Sequence, residues 1–591
     1  MSDRVRDLLL VGMVASVVFL CQLGAPRLWD RDEPRNAGCA AEMLQRGDWV
    51  TPVFNAELRA HKPVLTYWAM MLCYSVFGVN EFAARLPAAL CGIGTVLLTY
   101  LMGSRLFSRQ AGLWGAIALA TTVMFTVESR AATHDGVLIF TSTLALAIYA
   151  LSTLPSQGRL FPRWPVAAAM YAVMGLAVLA KGPVGLVLPT AVIGMFLLLL
   201  RRLPESTLGA DRWWRPLWDI VRAFEPRHFL STCWLMRPIT AITMASLVAL
   251  PWYLWVHQRT GGAWTHGFFV EHNLHRATSA MEGHDGGVLY YPIMLIIGFF
   301  PWSIFWMPTL GYAGQATRRP GPMQEGHLFA YCWLGVYVGL FSIARTKLPH
   351  YITPCYPGVA LLVGAFLGRW GTGEIQLSRL WPRLAFGSLI VVGATTLIVV
   401  PIISQQLVPG EQLLGLIGLL LVVAGIAALM FVQQGRISRG LQVTGAMAVC
   451  FILSVFSLAA VRIDQHRELS ALMAIANVEA SDSELCTFAV LEPSWVFYAG
   501  HPIPEHGTIE SALRHWEKRS SSGVPICMIT TPQQFERLRQ HLPADTYTVH
   551  TLDRFLQPEP LVVLASQPNV MAAPGPAGQV IQASLESPQV K

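Results

Sequence analysis

Apolar residues recur in blocks from Leu8 to Val461, each about 17 to 25 residues long, enough to cross a bilayer core as a helix. The thirteen blocks lie near residues 8–26, 86–104, 112–129, 136–154, 165–181, 183–200, 239–257, 289–310, 328–344, 351–368, 384–402, 413–431 and 442–461. One further run, residues 64–78 ("VLTYWAMMLCYSVFG"), is shorter and broken by polar and aromatic positions. Arginine placement decides its status, because loops on the cytoplasmic side carry the excess of Lys and Arg. If residues 64–78 lie on the surface, Arg105/Arg109, Arg159/Arg163, the stretch from Arg201 to Arg237, Arg318/Arg319, Arg369/Arg379/Arg383 and Arg436/Arg439 all face the cytoplasm. If they cross, the seven-arginine stretch is forced outside. The pattern therefore predicts an amphipathic surface helix at 64–78, within a first outer loop at 27–85.

After Arg462 the hydropathy falls. "ELCTFAVL", "VPICMITT" and "LVVLAS" read as short strands, interleaved with the helical pattern "PQQFERLRQHL". The expected organisation is a transmembrane domain at 1–462, a small extracytoplasmic α/β domain at 463–566, and a disordered tail at 567–591. The odd number of spans is what places the C-terminal domain outside. The first apolar run lacks a small-x-small cleavage pattern and is expected to stay as a helix. The chain has no internal repeat of the kind that marks the inverted halves of many transporters.

Composition agrees with an α-helical polytopic membrane protein: of 591 residues, 53% are hydrophobic and 13% charged. The net charge of +7 comes from arginines in short loops, an orientation signal rather than a nucleic-acid footprint. The bilayer, not nucleic acid, is the expected partner. The ten cysteines show no CxxC pair; Cys486 and Cys527 share the C-terminal segment, where export would permit a disulfide that spacing alone does not decide.

This topology brings scattered polar residues to one face. Asp32 and Glu33 precede Pro34 as at a helix start, and Arg35 lies on the same side of that first turn. Asp135, in "ESRAATHDGVLIF", re-enters the membrane at a depth where an acid is costly unless paired or hydrated. Two acids beside cations suit a reaction centre: one carboxylate to take a proton from an acceptor hydroxyl, another to orient it or hold a cation, with Lys62 and Arg35 balancing a phosphate. Each group also has a plainer reading, as a helix cap, a headgroup anchor or a snorkelling side chain. His61 and Lys62 form such a basic pair, and Lys181, in "LAKGPVGL", and Lys347, His350 and Tyr351, in "TKLPHYITPCYP", offer the same choice. The 258–288 loop carries His266, His272, His275, Arg276 and His284, a density that suits phosphate or a divalent cation. His61, His272 and His284 are the candidate metal ligands, without a strong zinc spacing. Trp29, Trp49, Tyr67 and Trp68 suit either a sugar-lipid groove or interfacial anchoring.

Taken in order, "DRDEPR", "HKPVLTYW", "ESRAATHD", "LAKGPVGLVLP", "EHNLHR" with "EGHDGGVLYY", and "TKLPHYITPCYP" resemble the superfamily of dolichyl-phosphate-mannose protein mannosyltransferases and aminoarabinose (lipid A) transferases. The resemblance implies the C-type glycosyltransferase fold and inverting transfer of a monosaccharide from a polyprenyl (undecaprenyl) phosphate carrier. The acceptor would be a lipid A-like glycolipid, a lipid-linked glycan or an exported protein, met at the outer face of the bacterial cytoplasmic membrane. By motif position it implies Asp32 as general base and Asp135 as the second acid. Lys62 would hold the donor phosphate, with Arg276, Lys347 and Tyr351 as helpers. The chain departs from the aminoarabinose transferases at His61, where they typically carry Glu, and at Asn36, where Tyr is usual. The rival reading is a transporter or flippase of lipid-linked sugars, which should place its functional polar residues near mid-membrane rather than at one face.

Overall fold

The computed structural model describes residues 2–29, 32–155, 159–201, 221–274, 286–318, 321, 323–478, 484–522, 525–542 and 547–566. They form two compact units. The first gathers the chain up to His466 together with Val496–Pro502; the second takes Arg467–Trp495 and the chain from Ile503 onward.

Among the described residues, nine helices are long and apolar enough to span a membrane, or eleven when each of two bent pairs counts as one span. The remaining apolar runs are helical too. One is α1 (Asp3–Leu20), whose first turns carry Asp3, Arg4, Arg6 and Asp7; the other is the shorter α9 (Val184–Leu200). Between α1 and α9 lie α2 (Asp32–Gln45), α3 (Leu65–Phe77), α4 (Glu81–Leu106), α5 (Arg109–Ala120), α6 (Val123–Arg130), α7 (His134–Thr153) and α8 (Trp164–Lys181). A short hairpin of β1 (Val53–Phe54) and β2 (Glu57–Leu58) separates α2 from α3. The chain is thus a multi-pass helical membrane protein.

Local chemistry explains the helix boundaries. The Asn80 side chain caps α4 by accepting from the Ala83 amide at 2.9 Å, and Ser108 caps α5 through the Ala111 amide at 3.1 Å. α5 and α6 are bent by 65° at Thr121–Thr122, where the Val123 amide leaves the helical ladder to donate to the Phe300 carbonyl at 3.1 Å. Among the described residues, the span Pro349–Gly371, which ends in the helix Tyr356–Gly371, is the most enclosed, with 94% of its apolar window buried. It lies against α5 through small residues: a Cβ at Gly364 would stand 2.3 Å from the Ala111 carbonyl oxygen. Such close backbone approach replaces hydrophobic driving force inside a bilayer.

α3 forms where the surface helix was expected, but it is not amphipathic in the ordinary sense. Thr66, Tyr67, Met70, Met71 and Tyr74 face inward at helical spacing, while Leu72, Val76 and Phe77 on the other side are apolar and exposed. Its outer face suits hydrocarbon rather than water.

The second unit is a five-stranded sheet in the order β4-β3-β5-β7-β6, from β3 (Glu484–Phe488), β4 (Glu505–His506), β5 (Ile526–Thr530), β6 (Tyr547–Leu552) and β7 (Leu561–Ser566). β3 pairs in parallel with β4 and β5, whereas β7 is antiparallel to β5 and β6. Cys486 and Cys527 are both buried and do not form a disulfide. The register explains why they do not bridge: Cys486 sits opposite Met528 and Cys527 opposite Leu485, so the two thiols point to opposite faces. The expected tail at 567–591 lies outside the described residues.

Candidate active site

The two acids that open α2 have opposite surroundings. Asp32 is exposed, while Glu33 is buried. Glu33 receives a bidentate pair from Arg85 of α4, Nε to Oε1 and Nη2 to Oε2, both at 2.8 Å. Its remaining lone pairs take the Trp29 amide at 2.6 Å and the Ala132 amide at 2.7 Å. Burial alone would raise this carboxyl; the Arg85 charge and the two amides overcome it and hold it below the usual glutamate value. Arg85 spends its other donors on the carbonyls of Leu23, Pro26 and Arg27 at 2.7–3.0 Å. The pair therefore fixes the turn after α1, the start of α2 and the loop before α7 in one clamp, with no lone pair left for chemistry.

A second buried network carries the hairpin. Arg59 donates from Nε to the Tyr67 hydroxyl and from Nη2 to Asn36 Oδ1, each at 3.1 Å, and Asn36 Nδ2 donates to the Ala132 carbonyl at 3.1 Å. The Trp264 indole donates to the Arg59 carbonyl at 2.9 Å. Tyr67 is fully buried, its ring edge-on to His134 with centroids 4.9 Å apart, so it braces the site instead of lining a groove. Asn36 is a link in this brace. Arg59→Met should lower thermal stability by about 2–3 kcal/mol, because it leaves Asn36 and Tyr67 buried without their donor; a melting scan of the purified protein checks this.

Asp135 lies in the first turn of α7, and Lys181 in the last turn of α8. An acid at a helix N-terminus and a base at a C-terminus each suit the local dipole, and the two helix ends meet. The Lys181 ammonium donates to Asp135 Oδ1 and lies 5.0 Å over the Tyr351 ring. His350 and Lys62 also act electrostatically on Asp135. Glu128, at the end of α6, is buried beside Asp135 and Lys181, and accepts from the Thr133 hydroxyl at 3.3 Å. Asp32 in turn acts on Glu128, Arg59 and His350, so the two acids read from the sequence share one electrostatic neighbourhood. Gly182 lets α8 stop here: its φ is +87°, and a Cβ would come 2.7 Å from the Phe268 ring. Gly182→Val is expected to displace Lys181 and lower activity at least as much as Lys181→Met, measured at matched expression.

His61 and His272 stack face to face with centroids 3.9 Å apart. In that arrangement the ring edges, where the nitrogens are, lie side by side instead of converging head-on. Burial first, then Arg59, His272, Lys62 and Arg35, pushes His61 down to about 3, so it is neutral at physiological pH. Below about pH 6.5 the unfolded chain binds a proton that folded His61 refuses, so stability drains as pH falls towards 3. His61→Gln should flatten this loss by up to about 1.4 kcal/mol per pH unit, seen as a smaller drop in melting temperature between pH 7 and pH 5.

Lys347 is buried and donates to the Gly286 and Gly287 carbonyls, tying down the end of the 258–288 loop. Arg276, His275 and His284 lie outside the described residues. Composition and spacing missed Arg85, Arg59 and Glu128. Each stands among other charges, Arg59 between Glu57 and Lys62, Glu128 close to Arg130 and Asp135, and Arg85 one turn after Glu81, so nothing in the local pattern marks it as the buried member of its group.

The family of dolichyl-phosphate-mannose-protein mannosyltransferases matches residues 61–209. A protein of Aquifex aeolicus is 29% identical over 363 residues, covering 61% of this chain and 73% of its own length. The undecaprenyl phosphate-alpha-4-amino-4-deoxy-L-arabinose arabinosyl transferase of Pectobacterium carotovorum is 28% identical over 407 residues, 67% of this chain and 66% of that one. The crystal structure of ArnT from Cupriavidus metallidurans bound to undecaprenyl phosphate superposes with a TM-score of 0.70 at 24% identity, over 96% of this chain and 99% of that one. The sequence similarity covers up to about two thirds of the chain and the fold similarity almost all of it; the fold is that of the C-type glycosyltransferases, and the chain is a membrane glycosyltransferase.

Proposed function

We propose that this glycosyltransferase moves a monosaccharide from a polyprenyl phosphate, undecaprenyl phosphate in bacteria, to a glycolipid of the lipid A type, a lipid-linked glycan or an exported protein. The reaction takes place at the extracytoplasmic face, the side to which the arginine-poor loops belong. One observation carries this reading: Asp32, Lys62, Asp135, Lys181 and His350, spread over 318 residues of sequence, lie close enough to share one electrostatic neighbourhood.

Asp32 is the general base. It is exposed beside a neighbour that is wholly committed to structure, so it alone of the pair can meet an acceptor hydroxyl. As the acceptor oxygen attacks the sugar C1, its proton passes to Asp32, and the bond from C1 to the phosphate oxygen breaks on the opposite side. The leaving polyprenyl phosphate keeps that oxygen and its electron pair, and Lys62 and Arg35 stabilise the charge. Asp135 acts as a positioning residue through Lys181, whose ammonium over Tyr351 faces the same space. Lys347 supports the site by anchoring the loop that carries Arg276.

The test is transfer of radiolabelled sugar from membrane polyprenyl-phosphate donors into glycolipid and protein fractions, comparing wild type with Asp32→Asn. Label that reaches an acceptor only with wild type supports the reading and names the acceptor class. Lipid-linked sugar that changes sides without transfer sinks it in favour of a flippase.

A further inference from the structure

We propose that the C-terminal α/β unit holds a divalent transition-metal ion of the zinc class on Cys486, His506 and His515. The inference concerns the second unit alone and is independent of the proposed transfer reaction.

Three separate elements bring these side chains together. Glu484, Cys486 and Phe488 alternate onto one face of β3, and His506 of β4 is the register partner of Phe488, so it shares that face. The helix Ile509–Ser521 covers it, burying Ala512 and Trp516 at i, i+4 with His515 beside them. One ligand atom from each of Cys486, His506 and His515 lies within 4.8 Å of the others, and the two imidazoles are 4.7 Å apart between centroids. A tetrahedral zinc with bonds of about 2.0–2.3 Å holds its ligands about 3.3–3.8 Å apart. The atoms need to draw in by about 1 Å, within the reach of side-chain torsions alone.

A second observation points to a ligand. The Nε2 atoms of both His506 and His515 are buried and make no hydrogen bond; His515 Nε2 has a long ion-pair contact, to Glu484 Oε1 at 3.7 Å. A buried imidazole nitrogen without a hydrogen bond costs about 1–3 kcal/mol, so two in one place ask for a common partner. A cation satisfies both lone pairs at once. The third donor is the free, fully buried Cys486 thiol, which loses its proton on binding. Sulfur with two imidazoles selects a borderline-soft ion over calcium or magnesium. Glu484, whose Oε1 stands 3.7 Å from His515 Nε2 and whose Oε2 is paired with Arg519 at 2.5 Å, is placed either to complete the coordination or to orient His515.

The test uses the full chain in detergent, stripped with chelator under reducing conditions and titrated with Co²⁺ as the spectroscopic probe. One equivalent of Co²⁺ should produce a near-ultraviolet sulfur-to-cobalt charge-transfer band, lost when Zn²⁺ is added. Cys486→Ser should abolish the band, and His506→Gln and His515→Gln should each weaken Co²⁺ binding about tenfold or more. His515 has a partly exposed side chain, so its variant is the one that keeps the fold, checked by an unchanged far-ultraviolet circular dichroism spectrum. A wild-type protein that gives no band overturns the proposal. So does a band that persists in Cys486→Ser, or binding unchanged in a folded His515→Gln.

Discussion

Asp32→Asn should leave the protein folded and its membrane insertion unchanged, yet lower sugar transfer about 10²–10⁴-fold, the range for removal of a general base. That corresponds to about 3–5 kcal/mol of barrier. The contrast with its neighbour is what makes the experiment informative. An exposed carboxylate can be made neutral at little structural cost, and the amide keeps the shape of the acid while losing its affinity for a proton. Asp135→Asn should also reduce transfer, but through a different route, because it frees the Lys181 ammonium from its partner. Its defect should therefore appear in the KM for the lipid donor as well as in kcat, whereas Asp32→Asn should act on kcat. Equal transfer by wild type and Asp32→Asn would remove Asp32 from the chemistry.

Arg85→Met is expected to lower stability by about 3–5 kcal/mol, the cost of leaving a buried carboxylate without its partner. Glu33→Gln should be similarly damaging, since the amide cannot accept all the donors that converge on the carboxylate. Thermal unfolding in detergent at a fixed scan rate gives the comparison. The double variant Arg85→Met with Glu33→Gln should be less destabilised than the two single losses added together, because neither charge is then stranded. The pH dependence follows from the sign of the shift at Glu33. A carboxyl held below its usual value contributes stability above the unfolded value of about 4.3, and that contribution is lost as pH falls through the lower folded value. A wild-type protein whose stability stays flat as pH falls from 5 to 3 would contradict the clamp. If Arg85→Met melts with wild type, the pair contributes nothing and the role assigned to the turn after α1 fails.

The adjacent acids of "DRDEPR" show how far a sequence can be read and where reading stops. Local pattern establishes that a helix begins there, because two acids and a proline at a helix start reduce the cost of exposed amides. It does not distinguish Asp32 from Glu33, since the difference lies in Arg85, 52 residues away, and in the Ala132 amide, 99 residues away. The same holds for Asp135: its position at a membrane re-entry is legible, but its partner Lys181 is brought in by the packing of α7 against α8.

What the sequence determined by itself is the set of helices and the general class of the protein, because a bilayer demands long apolar runs and internal backbone hydrogen bonds, and both are written residue by residue. It also determined that 64–78 would be a short helix, though not that its outer face would be apolar. Only the tertiary structure decided which charges are brackets and which are exposed to a substrate, that Cys486 and Cys527 face apart, and that Cys486 instead meets two histidines. These outcomes depend on register and on contacts between distant segments. A buried charge is stabilised by whatever partner the fold carries to it, and that partner has no fixed distance along the chain.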